Sequence, residues 1–538
     1  MTEGARWPEA RAVGGLVATP HALASQAGLA ILKRGGNALD AAIAAAATIA
    51  VVYPHMNGVG GDSFWLIYDG RNRALRGLNA AGRAAAAVDL KTYRARFGTA
   101  IPPRGGAAAL TVPGVVSGWW EAHALSRDTL GSRIGWSALL EDAVVCARDG
   151  FPPSPGQRRE TADADDLLGS AAPAELRPAL WRIFDPALLA RERFVQADLG
   201  ATLEEIARGG VETFYRGALG RRIAMGAAAA GSPLTFEDLA AHRAEWVEPL
   251  RVGYRNGEAA SLPPPTQGFA ALAILSLLEG FDIGALPEAD YVHLVVEATK
   301  VAFEDRDRYL TDPTFERVPV EHCLDPAHLA EGRRRISRRA AHQARGAALE
   351  GDTIAIVAAD AAGNAVSVIQ SLYWEFGSGV IAGDTGILLQ NRGAFFSLDP
   401  AHPNRLAPRK QTAHTLIPSM YLVNGRPHLV YGTMGGEGQP QTQAALVTRS
   451  LDRGLGPQAA VEAPRWLYGR TWGDETRALR LESRFDGDVR ESLRTRGHDV
   501  EMVEDWSDLM GHAQLIRIDP DGLRGGSDPR ADGAALGS

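Results

Sequence analysis

The 538-residue chain is 45% hydrophobic and 22% charged, an ordinary globular balance with enough length to bury a large core. A formal net charge of −8 argues against nucleic acid or an anionic membrane surface as the main partner. The two cysteines, Cys146 and Cys323, have neither metal-ligand spacing nor the pattern of a disulfide framework, and read as two buried free thiols.

Residues 1–11 are polar and charged and lack the apolar core of a secretory signal, which points to the cytoplasm. Residues 14–20 read as a short strand, and His21 opens a helix that stops at the Gly35-Gly36 pair. Asn37 caps the next helix, with Asp40 in its first turn and a small packing face over 41–52. This Ala-rich stretch is the most apolar long segment, but Asp40 interrupts it and it is too short for a membrane span; it reads as a buried helix. Gly58-Val59-Gly60-Gly61-Asp62 turns into a strand over 63–68. The glycines lack the Lys and Ser/Thr of a phosphate loop and precede a strand, which favours a plain turn. Between 136 and 309, helical patterns alternate with Pro/Gly breaks. The clearest helices are 238–246 and 291–309, the second with Leu294, Val295, Ala298, Val301 and Ala302 on one face.

Residues 331–351 set Arg333, Arg334, Arg335, Arg338, Arg339 and Arg345 among Ala and Gly. Without interleaved aromatics they read as a solvated or mobile arm rather than a nucleic-acid patch. Asp352 then leads into a strand opened by Thr353, Ala361–Asn364 make a hairpin turn, and 365–372 return as a second strand. Taken alone, Thr353 is simply a good strand residue. No metal-ligand spacing and no cofactor motif is apparent, and no internal repeat.

Downstream of Thr353 come Ser371-Leu372-Tyr373-Trp374-Glu375-Phe376-Gly377-Ser378-Gly379, Gly386–Asn391, Pro408–Pro418, Gly432-Thr433-Met434-Gly435-Gly436 and Ala463-Pro464-Arg465-Trp466. Upstream stand Gly35-Gly36-Asn37-Ala38-Leu39-Asp40, Gly60-Gly61-Asp62-Ser63-Phe64, Val112-Pro113-Gly114, Pro263–Gly268 and Ala302–Asp307. In this order the motifs resemble the γ-glutamyltranspeptidase family of N-terminal-nucleophile hydrolases over residues 14–470. The resemblance implies an α+β fold, a four-layer αββα sandwich built by two chains after self-cleavage between Asp352 and Thr353. Residues 1–352 would form the large chain, ending in the arm 331–352, and 353–538 the small one. The two would stay together as a heterodimer, with a dimer of such units left open.

The chemistry fits a threonine. Its hydroxyl needs a base, and a freed α-amine with a pKa of about 7.7–8.0 supplies one within the same residue. The resemblance places the nucleophile at Thr353, a supporting hydroxyl at Ser371 and oxyanion donors at the backbone of Gly435 and Gly436, where glycine lets main chain approach substrate. Ile354 and Ala355 depart from the Thr and His that many members carry there.

The substrate positions depart further. The family's Arg for the glutamyl α-carboxylate falls at Asn79, its acidic residue at Phe395, its serine pair at His414-Thr415 and an Asn at Tyr373. Losing the guanidinium removes charge-assisted bonds of roughly 1.5–3 kcal/mol each, which argues against efficient γ-glutamyl chemistry. The Ser-Leu-Tyr-x-x-Phe-Gly-Ser-Gly and Asn391-Arg392-Gly393 patterns instead resemble the amidohydrolase branch, which includes oxamate amidohydrolase. Arg392 is then a carboxylate partner or a turn arginine, and Asn391 and His414 are substrate contacts or packing groups. The reading is a self-processing amidohydrolase cleaving a small oxamate-like carboxamide through an acyl-Thr353 intermediate, without cofactor, metal, nucleic acid or membrane. A γ-glutamyltransferase or glutathione hydrolase, and an uncleaved binding protein, are the alternatives.

Overall fold

Side-chain alternation along the central hairpin sets the architecture. The computed structural model describes residues 5–161, 180, 184–342, 352–469 and 478–538. Within it, strands Asp352–Asp360 and Ala365–Tyr373 pair antiparallel as expected, joined by a turn with Gly363 at φ 84°. Asp360 holds that turn, its carboxylate accepting from the Ala362 and Asn364 amides. Ile354, Ile356 and Ala358 enter one hydrophobic core, while Ala355, Val357 and Ala359 enter another. Such a two-residue period splits a strand between two faces, and here both faces are apolar because both are covered.

The first core packs the sheet against a helical layer that includes Ala38–Val52, Val115–Asp128 and Ala197–Tyr215. The second core lies between two sheets, with Met420, Leu422, Val430 and Ile516 supplied from the opposite side. A third core joins that second sheet to helices Gly268–Leu278, Glu288–Tyr309 and Gln439–Leu451. The order is therefore helix, sheet, sheet, helix: the four-layer αββα sandwich that the family resemblance implies.

The first seven-stranded sheet runs Ala534–Gly537, Gly15–Thr19, Asp352–Asp360, Ala365–Tyr373, Asp62–Asp69, Ala74–Ala80, Glu245–Val247. The second runs Ala10–Ala12, Gly522–Ser527, Ala513–Asp519, Arg426–Thr433, Ser419–Val423, Gly257–Ser261, Leu250–Tyr254. The strand that Thr353 opens is thus interior, paired on both sides.

Other expectations meet mixed outcomes. The helix Ala22–Lys33 forms, and Ala38–Val52 begins with the reciprocal Asn37–Asp40 capping box. The helix read over 238–246 is shorter: it spans Phe236–Ala241, His242 turns extended, and Glu245–Val247 becomes an edge strand on Gly77–Asn79. Pairing at the sheet edge outweighs local helix propensity there. Cys146 is only half-buried, Cys323 is buried, and both are free. Among the described residues, no helix is long and apolar enough to cross a membrane.

The arginine arm is not loose over its described part. Pro326–Arg335 is a helix capped by Asp325, and the segment after it is tied down. His293 Nε2 lies 2.7 Å from the Ser337 carbonyl, the His342 amide donates to Glu297 (2.9 Å), and Arg335 pairs with Glu304 (2.5 Å). Arg345 and residues 343–351 fall outside the described residues. His293, Glu297 and His498 approach closely enough to suggest a metal site that sequence spacing did not. Their atoms are already committed. With His293 Nε2 donating to Ser337, its Nδ1 accepts from His498 Nε2 at 2.8 Å, and His498 Nδ1 faces the Lys300 ammonium, itself 2.8 Å from Glu297. A resident ammonium disfavours a second cation, and the cluster reads as a clamp on the arm.

Burial of neutral imidazoles gives the fold a pH dependence. Burial pushes His21 down to about 4, and His55, His242 and His498 each down to about 3. Each ring stays neutral in the folded chain but takes up a proton on unfolding below about 6.5. Stability is therefore fully present above pH 6.5 and falls as pH drops toward 4, by on the order of 2 kcal/mol per ring at pH 5. Urea midpoints across pH 4–8 are expected to decline steeply below 6.5; a flat profile would contradict these buried neutral rings.

Candidate active site

Thr353 is fully buried at the entry to its strand, where the ladder slips between Asp352 and Ile354. Thr353 Oγ1 donates to Ser371 Oγ across 3.3 Å. Ser371 Oγ in turn accepts the Tyr373 amide at 2.7 Å. Tyr373 has φ 87°, a left-handed conformation that a non-glycine residue holds only when its surroundings enforce it, and the Ser371 bond is one such restraint.

The opposing sheet delivers the glycine turn to the same place. Ser367 Oγ donates to the Tyr431 carbonyl, and Gly432 abuts Ala355 and Ile369 so closely that a Cβ there would come within 3.2 Å of the Ala355 Cβ. Moving from Tyr431 to Gly432 thus tracks from Val357 toward Thr353, and the next residues are Met434, Gly435 and Gly436. Gly435 (φ 116°) and Gly436 (φ 47°) both take left-handed backbone. Gly435 backs onto Gly511, where a side chain would strike the Met434 carbonyl. A short 3₁₀ turn and the helix Gln439–Leu451 follow.

Beside Ser371 lies a buried charged group. Arg392, on the 3₁₀ turn Arg392–Phe395, is 1% exposed, its guanidinium 4.0 Å over the Tyr373 ring and 5.7 Å from that of Phe395. Its Nη1 donates to Thr415 Oγ1 at 3.4 Å. Its Nε and Nη2 are buried and have no hydrogen-bond partner among the described residues. Burial lowers its pKa to about 10, which leaves it cationic at neutral pH.

Asp62 and His414 complete this group. Asp62 pairs across the sheet with Ser371, and its carboxylate accepts the Gly82 amide at 2.9 Å. Burial pushes Asp62 up to about 7, opposed by the Gly82 bond and the charge of Arg392. His414 Nε2 is 3.2 Å from Asp62 Oδ2, and its ring meets Phe64 edge-on at 4.6 Å. Burial and Arg392 hold His414 well below the ordinary histidine range, so the ring is neutral; its Nδ1 has no partner among the described residues.

Not every sequence candidate presents a free group. The Asn79 amide bonds Gln411 and the Ala81 N–H, and the Asn391 amide bonds the Trp374 N–H and the Pro103 carbonyl. Both serve the protein's own loops. Thr353, Ser371, Tyr373, Arg392, His414 and Thr415 form one connected set. Sequence reading passed over Asp62 and Gln267, although both stand in motifs it quoted, Gly60-Gly61-Asp62 and Pro263–Gly268.

Two antiparallel sheets face to face between helical layers, with a threonine opening a central strand, define an N-terminal-nucleophile hydrolase. A solved structure of cephalosporin acylase from Bacillus halodurans superposes with a TM-score of 0.92 at 36% identity, covering 100% of this chain and 98% of that one. The family model described as Gamma-glutamyltranspeptidase matches residues 24–538, and the chain belongs to that family of self-processing amidohydrolases. It is 46% identical over 528 residues to a glutathione hydrolase-like proenzyme, YwrD, of Bacillus subtilis, across 97% of this chain and 98% of that one. It is also 46% identical over 525 residues to an oxamate amidohydrolase proenzyme of Klebsiella pneumoniae, with the same coverage.

Proposed function

We propose that the chain cuts itself between Asp352 and Thr353 into two chains that stay together, and then hydrolyses a small carboxamide bearing an adjacent carboxylate, of the oxamate type. The observation that carries the substrate class is Arg392: a buried, cationic guanidinium with two N–H edges unpartnered among the described residues, stacked on Tyr373, whose amide donates to Ser371. A planar carboxylate matches that fork. The name of the Klebsiella relative supports the same class. Against a γ-glutamyl head, the family's arginine position is an engaged Asn79 and its acidic position is Phe395.

In the proposed reaction the freed Thr353 amine accepts the hydroxyl proton as Oγ1 attacks the amide carbon. The Gly435 and Gly436 amides receive the oxyanion. Collapse breaks the C–N bond, and the proton leaves with the departing ammonia. Water then attacks the ester, the same amine accepts a proton from it, and Thr353 regains its hydroxyl as the dicarboxylate leaves. Ser371 orients the nucleophile and pins Tyr373.

Ammonia release from oxamate, measured beside oxamide and γ-glutamyl-p-nitroanilide, tests the substrate class. Turnover is expected on oxamate and far less on the other two; preference for the γ-glutamyl compound would overturn it. Ser371→Ala is expected to lower kcat about tenfold or more by freeing the Thr353 hydroxyl and orphaning the Tyr373 amide. An unchanged kcat would remove Ser371 from the site.

A further inference from the structure

Gln267 is 1% exposed, sits at the N-cap of Gly268–Leu278, and has every polar atom of its side chain engaged. Its Nε2 donates to two carbonyls at once, Thr415 at 3.0 Å and Gly436 at 2.9 Å. Its Oε1 accepts from Arg306 Nη1 at 3.3 Å. Arg306 is itself buried and fixed by Asp307 at 2.7 Å and by Glu437 at 3.5 Å, the residue that follows the glycine turn. The Gln267 main chain is tied as well, its amide donating to the His414 carbonyl at 3.0 Å.

These bonds meet a specific need. Gly435 and Gly436 have no side chains to enforce their left-handed backbone, and a glycine peptide flips more readily than any other. An oxyanion site works only when its N–H groups are aimed before the reaction starts. A clamp on the Gly436 carbonyl fixes the peptide plane that follows the turn. By gripping Thr415 with the same nitrogen, it also sets the distance between that turn and the loop that bonds Arg392.

We infer that Gln267 is a positioning residue: its amide holds the Gly435–Gly436 turn in its reactive orientation and in register with the Arg392 site. This deepens the amidohydrolase reading and rests on it for the natural substrate. The amide geometry specifies glutamine. Methionine keeps the length but loses both donors, and glutamate keeps the acceptor for Arg306 while placing a carboxylate against two carbonyls.

The test uses processed, two-chain Gln267→Met and Gln267→Glu beside wild type. With oxamate, kcat is expected to fall about tenfold or more in both variants, with KM within about twofold and both variants folded and processed. A second readout needs no knowledge of the substrate: the rate at which p-nitrophenyl acetate acetylates Thr353, followed by intact mass, is expected to fall by a similar factor. Wild-type rates in both variants, or a rise in KM at constant kcat, would overturn the inference. If wild type is acetylated but does not turn over oxamate, the substrate class fails while the acetylation rates still judge Gln267.

Discussion

Thr353→Ala is expected to leave the chain uncut and to abolish amide hydrolysis altogether. Both consequences follow from one hydroxyl. Before cleavage, it is the group that would attack the preceding carbonyl; after cleavage, the residue carrying it also supplies the base. Thr353 is fully buried, Ser371 Oγ is 3.3 Å away, and the opposing sheet crosses its strand at Gly432 and Ala355, three residues before the left-handed Gly435–Gly436 turn. Losing both functions removes the acyl-enzyme route entirely, so the drop should reach the detection limit of an ammonia assay. Thr353→Ser, which keeps hydroxyl and amine, should retain cleavage and part of the activity. Gel electrophoresis and ammonia release settle both variants, and substantial turnover by Thr353→Ala would place the nucleophile elsewhere.

Arg392→Met is expected to lower kcat/KM for oxamate by about thirtyfold or more. The guanidinium is buried, stacked on Tyr373 and only partly bonded, so a substrate carboxylate bound as proposed would gain two charge-assisted hydrogen bonds there. Truncating one partner of such a buried pair costs about 2–5 kcal/mol, which at the low end is already more than tenfold and at the high end several thousandfold. Lysine should not rescue. Its single ammonium cannot fork onto two oxygens, nor can it stack flat on Tyr373. Oxamide, which has no carboxylate, should be nearly indifferent to the change, and that contrast separates a binding role from a general loss of structure. Equal losses on oxamate and oxamide would contradict a carboxylate role for Arg392.

The central hairpin was legible in the sequence because local signals agreed: apolar strands of the right length, a Gly363-Asn364 turn and a polar Asp360 to hold it. The capped helix at Asn37 was legible for the same reason. Contacts assembled by the tertiary fold were not. Asp62 and His414 are 352 positions apart, and the Gln267–Gly436 bond spans 169, so no local pattern could announce either. The arm was half legible. Arg334, Arg335, Arg338 and Arg339 are exposed, as a solvated segment requires, yet the arm is anchored by Glu297 and Glu304 on a helix that no local pattern links to it. The edge strand Glu245–Val247 was hidden too, since a three-residue strand owes its conformation to its neighbour rather than to its own residues.

The most direct test is the intact mass of purified protein, with one sample acid-quenched within milliseconds of mixing with oxamate. The expected spectrum shows two chains, the smaller beginning at Thr353, with one added acyl group on that chain in the quenched sample alone. A single uncut chain that still releases ammonia, or an adduct on the larger chain, would contradict a freed Thr353 as the nucleophile.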